Sequence, residues 1–280
     1  MLRRRSFLSL AALTGLAACS TPSSEGSPAA SPSAMPEQST GVTTRELEFN
    51  RGGDRALPTK VWLPAGNGPF PLIYFSHGLT SQPDDYAELL SFWASAGFVV
   101  AGPKYPHTWY QAAEYDADDV VNQPADAQFV ITELLTTLSG SIDPQRIAAA
   151  GHSAGAITTV GLFSGSRDER LKAGLLIAGR QMPQPAPFSG DPAPLLFVQG
   201  KLDETVTYEQ AYGAYNEVTW PKGFLEIPQG THLPHRDQPQ MVAETTTDFW
   251  RWVFNNDEAA KGRMPIDASS TNAGQLTSTF

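Results

Sequence analysis

From about residue 46 the chain alternates between short apolar runs and longer segments with apolar residues at helical spacing. Six runs, Pro71–Ser76, Phe98–Ala101, Arg146–Ala150, Ala173–Ala178, Leu195–Gln199 and Phe224–Ile227, have the length and continuity of strands buried on both faces. Glu46–Phe49 and Pro58–Leu63 read as two opening strands joined by the turn-rich Arg51-Gly52-Gly53-Asp54. The intervening segments predict helices over Pro83–Ala96 (opened by Pro and two Asp, closed by Gly97), about Ala125–Leu138, Ala154–Phe163, Tyr208–Tyr215 and Met241–Phe254. Strands alternating with helices predict an α/β protein with a mostly parallel sheet of eight strands, an antiparallel opening edge and helices on both faces. Gly179 to Pro192 is too short to house a separate cap domain between two strands, so an open site is expected.

The pattern breaks at both ends. Arg3, Arg4 and Arg5 precede a twelve-residue apolar run from Phe7 to Ala18, the layout of a secretory signal and too short for a membrane-spanning helix. Arg4-Arg5-Ser6-Phe7-Leu8 resembles a twin-arginine export signal, and Leu16-Ala17-Ala18-Cys19 resembles a bacterial lipobox in which Cys19 carries the lipid. The expected divisions are a signal at 1–18, a lipidated Cys19 with a flexible Ser/Thr/Pro-rich linker at 19–44, a catalytic domain at 45–255 and a polar surface tail at 256–280. An exported, membrane-anchored lipoprotein is the expectation. Cys19 is the only cysteine, so no internal disulfide supports the domain. The leader holds three Arg and no acid, so its removal takes the net charge from −10 to −13, and the composition gives no support to a nucleic-acid partner.

Chemistry enters at Gly151-His152-Ser153-Ala154-Gly155, a G-x-S-x-G sequence that directly follows a predicted strand and opens a predicted helix. A sharp strand-to-helix turn presents the Ser153 hydroxyl, and small flanking residues allow that tightness. It also places the Ala154 N–H at a helix N-terminus, suited to a developing oxyanion. A serine needs a base oriented by a carboxylate, and the chain order Ser, acid, His is met by Asp203 and His232, each in a loop following a strand. Glu204 is the alternative acid and His235 the alternative base, although the turn at Gly230 immediately before His232 favours that residue. After Ser76-His77-Gly78, the Leu79 N–H is the expected second oxyanion donor. His107, Trp109 and Tyr110 are candidates to line the cleft, with a plain surface loop as the competing reading. No metal-ligand spacing and no phosphate-binding glycine loop is found, and no cofactor is implied.

The segment Pro71–His107, the Gly-His-Ser-Ala-Gly elbow, Asp203 and Gly230-Thr231-His232 resemble the dienelactone-hydrolase-related branch of the α/β-hydrolases, which grades into chlorophyllase-like and cutinase-type polyester-hydrolase-like enzymes. The resemblance covers about residues 45–255. It implies a serine esterase acting on small or polymeric carboxylic esters of short to medium acyl length, through an acyl-enzyme. Dienelactone hydrolases proper use a Cys where Ser153 stands, and polyester hydrolases often carry an aromatic residue in place of Leu79 and Met in place of Ala154. The alternatives are a serine peptidase or amidase on the same triad, and a catalytically inert, surface-anchored binding lipoprotein.

Overall fold

The computed structural model describes residues 41–270 and 272–280. The signal, the Cys19 lipobox and nearly all of the linker lie outside the described residues. In chain order the domain runs β1 (Thr43–Arg51), β2 (Arg55–Leu63), β3 (Phe70–Ser76), α1 (Ala87–Ser95), β4 (Val99–Pro103), α2 (Gln123–Thr137), β5 (Ile142–His152), α3 (Ala154–Leu162), β6 (Leu171–Ile177), β7 (Leu195–Gly200), α4 (Tyr208–Glu217), β8 (Lys222–Ile227), α5 (Pro234–Asp237), α6 (Pro239–Asn255), α7 (Glu258–Ser269) and β9 (Gln275–Ser278). Two 3-10 turns, Pro83–Tyr86 and Ala117–Val121, precede α1 and α2.

All the described strands form one mixed sheet in the order β1-β2-β4-β3-β5-β6-β7-β8-β9. The block from β4 to β8 is parallel, and β1, β2 and β9 are antiparallel to their neighbours. The sheet therefore has nine strands rather than the expected eight. The added strand corrects the reading of residues 256–280 as a surface tail. Asp257 caps α7 by accepting from the Ala260 N–H at 2.9 Å, and Ala260, Met264 and Ala268 bury one thin stripe at four-residue spacing. The chain then returns as β9 along the open edge of β8, pairing Leu276 with Leu225, and Phe280 packs on Trp252 at 4.8 Å.

Period-two alternation sends each central strand into two cores. Leu72 and Tyr74 of β3, Ala149 of β5 and Phe197 of β7 enter one core with α2 and α4. Ile73 and Phe75, Ala150 and Val198 enter the other with α1, α6 and α7. The alanine run Ala148–Ala150 in β5 is fully buried, and this thin central strand leaves room for α3 to pack directly behind it. Trp93 and Trp250, both fully buried, meet edge-on at 5.8 Å and join α1 to α6; each such side chain contributes about 2–3 kcal/mol of burial. Residues 178–194 between β6 and β7 contain neither helix nor strand.

Candidate active site

Ser153 sits between β5 and α3 with φ of 56° and ψ of −119°, a backbone conformation that costs a non-glycine residue free energy. The surrounding chain leaves no slack to relax it. The Ser153 N–H donates to the Ile177 carbonyl at 2.9 Å, and its own carbonyl accepts from the Ile157 N–H at 3.0 Å. A Cβ at Gly151 would lie 2.2 Å from the Gly155 carbonyl oxygen, and one at Gly155 would lie 1.9 Å from the Ser76 carbonyl oxygen. Both flanking positions of the elbow thus require glycine because backbone meets backbone there.

The Ser153 hydroxyl lies 2.9 Å from His232 Nε2, and His232 Nδ1 lies 2.8 Å from Asp203 Oδ2. Because the carboxylate accepts, Nδ1 carries the proton and Nε2 is left to accept from the serine. Asp203 is buried and held from several sides. Its Oδ1 accepts from the Thr205 and Val206 N–H groups at 2.8 and 2.9 Å, and its Oδ2 accepts from Gln199 Nε2 at 3.2 Å. Glu204 points to solvent and takes no part. His235 is also outside the chain of hydrogen bonds, but it is not a solvated loop residue. It begins the single turn of α5, is 7 % exposed, and packs against His152 at 4.8 Å and Tyr86 at 5.1 Å. Neither of its ring nitrogens has a partner. Burial first, with Arg236 and His232 assisting, pushes it down to about 3.

The loop after β3 crosses directly over the elbow. A Cβ on Gly78 would meet Ser153 Cβ at 3.3 Å, and the Gly78 N–H is taken by the Tyr86 hydroxyl at 3.1 Å. The Leu79 and Ala154 N–H groups have no acceptor among the described residues. His77 is fully buried; its Nε2 accepts from the Tyr105 N–H at 3.1 Å and its Nδ1–H donates to the Gly78 carbonyl at 2.7 Å, while burial lowers it to about 4. A second buried path runs from α3 back to this loop. Thr158 donates to Gln123 Oε1 at 2.6 Å, Gln123 Nε2 donates to Thr108 Oγ1 at 2.9 Å, and the Thr108 carbonyl accepts from the Thr80 N–H at 2.7 Å.

Of the cleft candidates, His107 holds its own loop through Nδ1 and the Glu114 carbonyl, at 2.9 Å. Trp109 and Tyr110 stand edge-on at 5.4 Å, with Tyr110 half exposed. Among the described residues none of the three contacts the triad by a hydrogen bond or ring contact. The apolar surface beside Ser153 comes instead from residues the sequence pattern did not single out. Val120, Ala154 and Ile157 form a small buried cluster with Leu79 and Met182 packed on it.

A mixed α/β sheet with Ser153, Asp203 and His232 gathered beyond its parallel strands defines an α/β-hydrolase-like protein. Residues 39–179, half of the chain, match the chlorophyllase family model. A stretch of 121 residues is 31 % identical to "Chlorophyllase type 0" of Chenopodium album; it covers 41 % of this chain and about a third (34 %) of that protein. The chain belongs to the chlorophyllase family. The family match reaches Leu79, Ser153 and Ala154 and stops before Asp203 and His232, whose places rest on the geometry above.

Proposed function

We propose that this protein is a serine hydrolase of carboxylic esters. The observation that carries the reading is the continuous hydrogen-bonded chain Ser153–His232–Asp203 on a strained elbow. Ser153 attacks the ester carbonyl while His232 takes its proton, and Asp203 holds the imidazole in the tautomer this needs. The tetrahedral oxyanion is met by the Leu79 and Ala154 N–H groups, which point to no other acceptor. His232 then protonates the leaving alcohol, and water repeats the sequence on the acyl-enzyme. Membership of a family whose relative is named a chlorophyllase favours an ester over an amide as the bond broken.

The apolar cluster of Val120, Ile157, Leu79 and Met182 fits an apolar chain on the substrate, and short to medium acyl esters are the proposed substrates, with polyester cleavage as a secondary activity. A p-nitrophenyl ester series tests this. Ile157→Ala and Met182→Ala should lower kcat/KM for the octanoate more than for the acetate, by about tenfold at most, because each removed methylene of contact is worth about 0.8 kcal/mol. Equal losses on both esters would place the substrate chain elsewhere. Export and anchoring through Cys19 belong to the same proposal: Cys19→Ser should release the protein from membranes while leaving kcat unchanged, and retained membrane partitioning would contradict it.

A further inference from the structure

Two buried side chains outside the triad join its two halves. The Gly78 N–H can only donate, so the Tyr86 oxygen, 3.1 Å away, accepts. The Tyr86 hydroxyl proton is then free for His152 Nδ1 at 2.8 Å. With Nδ1 an acceptor, His152 carries its proton on Nε2 and donates it to the backbone carbonyl of His232 at 2.7 Å. One amide hydrogen thus fixes the direction of every bond in the chain. Tyr86 and His152 are each 3 % exposed, and the ring of His235 wedges against both. Burial lowers His152 well below its ordinary value, so the neutral ring this arrangement needs is the one present.

We infer that Tyr86 and His152 are positioning residues that form a strut between the oxyanion loop and the loop carrying the catalytic base. This rests on the function proposed above. At one end the strut holds Gly78, which precedes the oxyanion donor Leu79; at the other it holds the main chain of His232 itself. Between them it passes through the residue preceding Ser153. Ser153 is held in a strained conformation, so its hydroxyl has one productive position. The oxyanion donors and the imidazole must both be set against that position. An apolar pair would fill the same volume without the desolvation cost of a buried hydroxyl and imidazole, and registration is what the polar pair adds.

The test uses the whole protein with p-nitrophenyl butyrate. Turnover is referred to the fraction of Ser153 titrated by a fluorophosphonate, so that only competent molecules are counted. Tyr86→Phe keeps the ring and removes the hydroxyl. His152→Leu removes the donor, and His152→Gln restores an N–H able to reach the His232 carbonyl. Tyr86→Phe and His152→Leu should each lower kcat about tenfold to a hundredfold, the scale of a misplacement of about 1 Å, with KM within about twofold. The double variant should lose no more than the worse single one, because the two act as a unit. His152→Gln should recover most of the loss. The downfield proton signal of the His232 Nδ1–H should shift or broaden in the impaired variants and return in His152→Gln. Wild-type kcat per titrated site in Tyr86→Phe and His152→Leu, or a double loss equal to the product of the single losses, would overturn the strut. A wild-type protein that neither turns over esters nor labels would instead defeat the function proposal, leaving the strut to be judged on the imidazole proton signal.

Discussion

At the scale of single residues, the elbow shows how little freedom the reaction centre has. Gly155 faces the Ser76 carbonyl so closely that an added methyl would need to displace backbone on a central strand. Gly155→Ala should therefore cost more than about 4 kcal/mol, or prevent folding, by urea unfolding. Gly262, inside α7 with open space where a Cβ would stand, is the contrasting case; Gly262→Ala should stabilise by about 0.5–1 kcal/mol. A mild loss at Gly155 would mean that the elbow is looser than described. The elbow was legible in the sequence because its requirements are local: glycine, serine and glycine within five residues, between a strand and a helix. Asp203 and His232 were legible because they follow strands in a fixed order. Tyr86 and His152 were not, since their hydrogen bonds cross 66 and 80 residues of chain and leave no local pattern. The Val120, Ile157 and Met182 cluster was hidden for the same reason.

At the scale of elements, the continuous apolar runs of the parallel strands were readable because burial on both faces writes itself into composition. The last two elements were not. β9 has one apolar residue, Leu276, and is an edge strand defined by its partner β8; α7 buries only Ala260, Met264 and Ala268 and contains Pro265. What holds them is tertiary. Arg263 forms two hydrogen bonds to Asp248 of α6, at 2.6 and 2.8 Å, and Phe280 packs on Phe249 and Trp252. Truncation after Asn256 should uncover the β8 edge and part of the α6 face. We expect a lower midpoint in urea and concentration-dependent aggregation by light scattering. A truncated protein as stable and monodisperse as the full chain would restore the reading of this segment as a tail.

At the scale of the whole molecule, burial of neutral histidines couples folding to pH. His77 is lowered to about 4, His235 to about 3 and His152 well below its usual 6.5, each mainly by desolvation. A folded-state value below the unfolded one means that unfolding takes up protons as pH falls. This stability is whole above pH 6.5 and is lost as pH falls from there toward 4 and below. Asp267, raised to about 6 by burial and by the neighbouring Asp248, opposes the trend, since its contribution is lost as pH rises. The net uptake is about two protons, so stability should fall by about 3 kcal/mol per pH unit at the steepest part of the window. Urea midpoints between pH 7.5 and 4.5 check this, and a flat profile would contradict the buried neutral state of the three rings. The central claim is that the Ser153–His232–Asp203 chain is a working nucleophile, and labelling by a fluorophosphonate probe tests it most directly. We predict stoichiometric modification at Ser153 in the wild-type protein, with ester turnover abolished in step, and none in Ser153→Ala or His232→Ala. Absence of labelling in the folded wild-type protein, or labelling that persists in Ser153→Ala, would contradict the account.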